Sequence, residues 1–244
     1  MPKYNSDELG SLIQSVADNL IDAGIHYRLF RDLVEAVPDH SVVLNDARAF
    51  WTLTFVGHRD AALFRICRVY DQESRAVGFR TLLGAIQGNT ELFDEVHFRA
   101  RLKGNPYVDD LARVDRIPPP QQLRDDIAAT SDQNDLVKRL VILRNNIFAH
   151  TSREYALRPD RFKAELGLEA DDVWALIDRG LGIVNRYADL FHANTYAKEI
   201  VGRDDYSSVL NSLKRDYSAR QERIYQEMKA AGALDLEGNY PPAT

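Results

Sequence analysis

Arg144, Asn145 and His150 stand close together in the stretch Leu140-Val-Ile-Leu-Arg-Asn-Asn-Ile-Phe-Ala-His150. These types suit proton transfer beside a phosphate. An imidazole titrates near neutrality and can act as acid or base. A guanidinium stays charged and grips phosphate through a two-pronged fork. An asparagine amide can orient either the phosphate or the imidazole. Such chemistry requires no metal.

The stretch reads as a helix over about 135–149. On it Leu136, Leu140, Leu143, Ile147 and His150 form one stripe, and Val137, Val141, Arg144 and Phe148 the next. An arginine on an apolar face must be paired, snorkelled or held at an interface. Asn145 is a poor helix-interior residue unless its amide is engaged. Arg144 and His150 are six apart, so on a regular helix they diverge by about 120° and rise by about 9 Å. One rigid helix does not converge them on a single phosphate, whereas a twofold dimer could join Arg144 of one chain to His150 of the other. The purely structural alternative pairs Arg144 with a buried carboxylate and sets His150 at a helix C-terminus.

Residues 138–163 carry seven basic side chains against two acidic ones, a local excess of +5. Arg139 and Arg153 in that run are candidates for phosphate, and Tyr155 and Phe148 for stacking on a base. A solvated loop of mixed charge explains the same run. Arg68 and Asp71, three apart on a preceding helix, read as an ion pair or as groups that orient Arg144 or His150. Cys67 is single, and His26, His40, His58, His97 and His192 show no ligand spacing. No metal site and no cofactor are therefore expected.

Helical periodicity dominates the elements around the motif. Ser6 with Asp7 and Glu8 starts a first helix, about 6–36, which Pro38 should end. A second runs over about 41–72. Glycines and Pro106 break 78–116 into short helices, one of them beginning at Thr90. Gly84 and Gly88 suggest close helix packing. Pro118-Pro119-Pro120 is a rigid connector into a helix near 121–129, with a turn at 130–134. Helices follow at about 170–197 and 207–231. The class is all-α: an antiparallel helical bundle with appended short helices. The expected division is a helical domain over 1–204, with an insertion at about 78–130, and a charged helix and tail over 205–244.

The whole chain has 244 residues, 45% hydrophobic and 28% charged, and a net charge of −6. That composition suits a folded domain and excludes a protein coated in basic charge. Phosphate-loop, dinucleotide, zinc-protease and serine-hydrolase signatures are absent. No apolar leader or membrane-length stretch is seen, so a cytoplasmic location without membrane contact is expected.

The run Leu-Arg-Asn-Asn-Ile-Phe-Ala-His, with five residues between Arg144 and His150, resembles the HEPN family. It is most similar to that family's AbiU-like abortive-infection branch. The resemblance implies a four-helix core, a homodimer and, in many members, metal-independent cleavage of RNA by Arg144, Asn145 and His150. It also implies a role in phage defence or as a toxin, with an antitoxin or nucleotidyltransferase as partner. The alternative is a non-catalytic homodimeric module that binds a partner protein or nucleotide.

Overall fold

The computed structural model of the protein describes residues 3–148, 167–197 and 202–232. Among them no strand occurs, and the regular elements are helical. They are α1 (Ser6–Asp46), α2 (Arg48–Val69), α3 (Phe79–Gly88), a 3-10 turn (Thr90–Phe93) and α4 (Glu95–Arg101). Next come α5 (Val108–Leu111), α6 (Pro120–Thr130), α7 (Asp135–Leu143), a π-helical turn (Arg144–Phe148), α8 (Ala170–His192) and α9 (Asp205–Ala230). No helix among the described residues is long and apolar enough to cross a membrane.

The chain packs as two compact units, residues 1–28 with 58–199 and residues 29–57 with 200–244. In the first unit α8 is the central helix. Its buried positions include Val173, Leu176, Ile177, Val184, Tyr187 and Phe191, spaced to keep one wide face apolar. Glu169 and Asp172 close a capping box at its start, and Ala193 ends it in the left-handed conformation at φ 51°. Burying side chains of this size stabilises the fold by about 1.5–3 kcal/mol each.

Neighbour pairs fix the helix directions. A Cβ on Gly10 would meet the His192 ring, and one on Gly24 would meet Ile177. Tyr27 donates to the Ala170 carbonyl at 3.0 Å. The first part of α1 is therefore antiparallel to α8. Arg65 pairs with Asp22 at 2.7 Å, and His26 Nδ1 lies 2.9 Å from His58 Nδ1, so α2 runs back along α1. Arg179 donates to Asn134 and Arg139 pairs with Asp172, both at 2.9 Å, which sets α7 antiparallel to α8. From the short helices, Phe79, Leu82, Leu83, Ile86, Phe93 and Phe98 are buried in this unit.

In the second unit Leu33, Leu44, Trp51 and Leu210 form a small core, with Leu29, Ala36, Phe55 and Tyr206 packed on it. Lys214 donates to the Asp39 carbonyl at 2.9 Å, and Arg220 pairs with Asp46 at 2.6 Å.

Several boundaries differ from the sequence expectation. The first helix does not stop at Pro38 but continues to Asp46 across a kink at His40 (φ −124°, ψ 16°). Burial of Val43 and Leu44 beyond the kink outweighs the proline's missing N–H. Residues 41–46 thus belong to α1, and α2 begins at Arg48. Thr90 opens a 3-10 turn, and Asp94 caps α4 by accepting from the His97 N–H at 2.8 Å. Gly84 is not a close-packing residue, since a Cβ there would meet nothing within 4 Å. The tight approach is at Gly180, where a Cβ would lie 2.6 Å from Leu20 Cδ2.

Candidate functional site around Arg144

The helix that leads into the motif is anchored at both of its faces. The Asn134 side chain accepts from the backbone N–H groups of Leu136 and Val137, which caps the first turn. The same oxygen accepts from Arg179 of α8. Val137 and Leu140 are buried. Arg139 lies on the flank, where one nitrogen pairs with Asp172 and another donates to the Gly167 carbonyl at 2.9 Å. Its guanidinium thus ties α7 to the capped start of α8.

At Arg144 the helix widens into a π turn. Such turns are rare and cluster at functional sites. Asn146 donates its side-chain amide to the Ile142 carbonyl at 2.7 Å, satisfying an acceptor at the junction of the two helix types. Asn145 is exposed. The widened turn also changes the sequence geometry. The 100° step behind the 120° divergence does not hold through Arg144–Phe148, because a π turn closes with one more residue than an α turn.

Arg144 Nη1 donates to Asp71 Oδ1 at 2.8 Å. Asp71 sits just beyond α2, and its position is well determined. Tyr70 is fully buried and donates to the Leu176 carbonyl at 2.7 Å, and its ring meets Phe79 edge-on. The same Asp71 oxygen accepts from the Glu73 N–H at 3.0 Å, making a local turn. The Asp71 side chain is 11% exposed and that of Arg144 28%. Among the described residues Arg144 spends only this one nitrogen. Its other donors are available to an anion on the open side, and the two-pronged guanidinium suits a phosphate.

Cys67 is buried one helical turn before Asp71. Burial pushes its thiol up to about 12, with Arg144 pulling down and Asp71 pushing up. It is a packed side chain beneath the ion pair, not a nucleophile. Arg68, expected to pair with Asp71, instead lies over the Phe64 ring at 5.2 Å. Asp71 takes Arg144 as its ion-pair partner because the turn after Tyr70 aims the carboxylate across to α7. His150, Arg153 and Tyr155 lie outside the described residues.

Two groupings had no signal in the sequence. His26 and His58 are 32 residues apart yet share a hydrogen bond. Asp126 joins Arg186 and Tyr187 in a buried cluster. Only the three-dimensional packing of α1 on α2 and of α6 on α8 assembles them. Among the described residues no three His, Cys, Asp or Glu side chains gather as metal ligands.

An all-helical bundle built on a central antiparallel helix, with an arginine motif at a widened turn, defines a HEPN-like domain. Residues 6–219 match the HEPN_AbiU2 family, described as AbiU2, and the chain belongs to that family. Comparisons with curated proteins and with solved structures found no match. Membership points to a HEPN-type role in abortive infection.

Proposed function

We propose that two copies of the chain form a metal-independent endoribonuclease that cuts RNA in phage defence or as a toxin. The observation that carries this reading is the state of Arg144. It is oriented by Asp71 through one nitrogen, partly exposed, and set at a π turn. A purely structural arginine would be enclosed by its partners.

In the proposed reaction an RNA 2′-hydroxyl attacks the adjacent phosphorus while His150 handles its proton. The bond to the 5′-oxygen breaks and that oxygen takes a proton, leaving a 2′,3′-cyclic phosphate and a free 5′-hydroxyl. Arg144 carries the charge that builds on the phosphorane oxygens. Asn145, exposed beside it, orients the phosphate or the imidazole. Arg153 and Tyr155 are proposed to contact RNA beyond the cut. Arg139 is already committed to Asp172 and Gly167 and contributes by holding α7 in place.

Purified wild type, Arg144→Ala and His150→Ala should be compared on RNA, with the product ends identified. Each substitution should cost about a hundredfold or more, and chelators should leave the wild type unchanged. Mixing the two variants tests a site shared between chains. In a mixed dimer one shared site regains both wild-type groups, so activity returns. Full cleavage by either variant alone would overturn the assignment. Folded wild type that cuts no RNA would favour the non-catalytic alternative.

A further inference from the structure

Beside the Arg144–Asp71 pair, α3 and α6 enclose a cavity of about 170 Å³. At about 30 Å³ per water it has room for one nucleobase and not for a whole nucleotide. Leu83, Phe79 and Ile127 give it apolar walls, and Gln72, Arg80 and Gln87 supply polar groups. Gly84 also lines it, and a Cβ there would meet nothing within 4 Å. The missing side chain is therefore not needed for helix packing, and its absence keeps the cavity open.

Gln72 is the informative residue. It directly follows Asp71, the carboxylate that holds Arg144. Its amide nitrogen donates both to the Tyr70 carbonyl at 2.8 Å and to the Thr130 carbonyl at 3.0 Å. Those two bonds use both of its N–H groups, which fixes the amide orientation and leaves Oε1 as its one remaining polar atom. Thr130 lines the same cavity. This corner is rich in hydrogen-bond acceptors. Arg80 donates to the Gln72 carbonyl and is otherwise exposed, which suits it to a neighbouring phosphate.

We infer that the α3–α6 cavity is a subsite for an RNA nucleobase bearing an exocyclic amine. Adenine and cytosine place an amino donor where the Gln72 oxygen accepts. Uracil offers a ring N–H between two carbonyl oxygens, which an acceptor-rich corner repels. One unmatched hydrogen bond of this kind is worth about tenfold in binding. That the base belongs to RNA rests on the nuclease reading. The acceptor chemistry of the cavity stands without it.

The test titrates the full-length chain with AMP, CMP and UMP and maps cut sites on RNA of mixed sequence. AMP and CMP should bind wild type about tenfold more tightly than UMP. Gly84→Leu fills the cavity, so it should weaken AMP and CMP about tenfold and erase the preference. Gln87→Ala changes an exposed side chain and provides a second variant whose folding is not in question, with a several-fold weaker AMP affinity expected. Wild-type cuts should fall beside adenine or cytosine in preference to uracil, and Gly84→Leu should level that profile. Equal affinity for UMP, or unchanged binding in both variants, would overturn the subsite. Mononucleotide binding with a cut profile unaltered by Gly84→Leu would make the cavity a site for free nucleotide and overturn the RNA assignment. A wild type that cuts no RNA would sink the nuclease reading alone, since the titrations still decide the cavity.

Discussion

Two carboxylates of the first unit hold arginines, and they do so in opposite ways. Asp126 on α6 is saturated. Its Oδ2 accepts from Arg186 at 2.6 Å and from the Tyr187 hydroxyl at 2.8 Å, and its Oδ1 accepts from Gln122 at 3.1 Å. Its side chain is 6% exposed. Burial and the Asp126 charge hold the Tyr187 phenol well above its ordinary pKa. Asp71 uses one oxygen for both Arg144 and the Glu73 N–H, and Arg144 keeps donors in reserve. A closed cluster braces α6 on α8. An open pair aims a cation and leaves it able to bind. The same residue types thus serve support in one place and chemistry in the other, and the difference is the number of donors already spent.

Removing each carboxylate should separate these roles. Asp126→Ala strands the Tyr187 hydroxyl and Arg186, and should cost about 3 kcal/mol of stability, the low end for a broken buried pair because Arg186 is partly exposed. Urea or thermal unfolding measures it, and a loss below about 1 kcal/mol would erase the contrast with Asp71. Asp71→Asn keeps an acceptor but loses the charge that positions Arg144. Cleavage of RNA should fall about tenfold while stability changes by no more than about 1 kcal/mol. The reverse pattern would make Asp71 a brace like Asp126.

A smaller effect should follow pH at the contact of α1 with α2. Burial lowers the pKa of both His26 and His58 below 6.5, with each other's charge and Arg65 adding to the shift at His26 and Asp22 opposing it. The folded state therefore binds fewer protons than the unfolded chain as pH drops. This contribution to stability is present above the ordinary histidine pKa and is lost as pH falls through the lowered values. Unfolding at pH 7.5 and 5.5 should show the loss, and His26→Gln should shrink it. An unchanged difference in that variant would show that the pair does not titrate as described. The last effect is expected to be nearly nil. Cys67 should react with a thiol reagent only as the chain unfolds, faster in Asp126→Ala and unaltered in Asp71→Asn. Fast labelling of wild type would show that the layer under Arg144 opens locally.

Periodicity showed the helical class because apolar spacing responds directly to burial on one face. The starts of α6, α7 and α8 were legible for the same reason. Pro38 misled because a local rule about one missing N–H competes with burial of Val43 and Leu44 further along. Arg144 stood out as a charge among apolar neighbours, but its partner did not. Arg68 lies nearer to Asp71 in sequence, and only the fold reveals that the turn after Tyr70 points the carboxylate toward α7. The π turn had no sequence signal, since its hydrogen-bond pattern depends on backbone context. Asn146 was the closest hint, and attention fell on Asn145 instead.

The widened turn has a consequence for insertions and deletions. A π turn holds one residue more than the α-helix it interrupts. Removing a residue such as Asn146 would let the strand of hydrogen bonds revert to a uniform spiral, rotating everything downstream by about 100° and drawing it back by about 1.5 Å. Length and chemical identity are therefore coupled here. A shortened chain could keep Arg144, Asn145 and every residue after the cut, yet present them in the wrong phase. Relatives whose arginine-to-histidine spacing differs by one should compensate by gaining or losing this turn, so the spacing is best counted in turns of helix, not in letters.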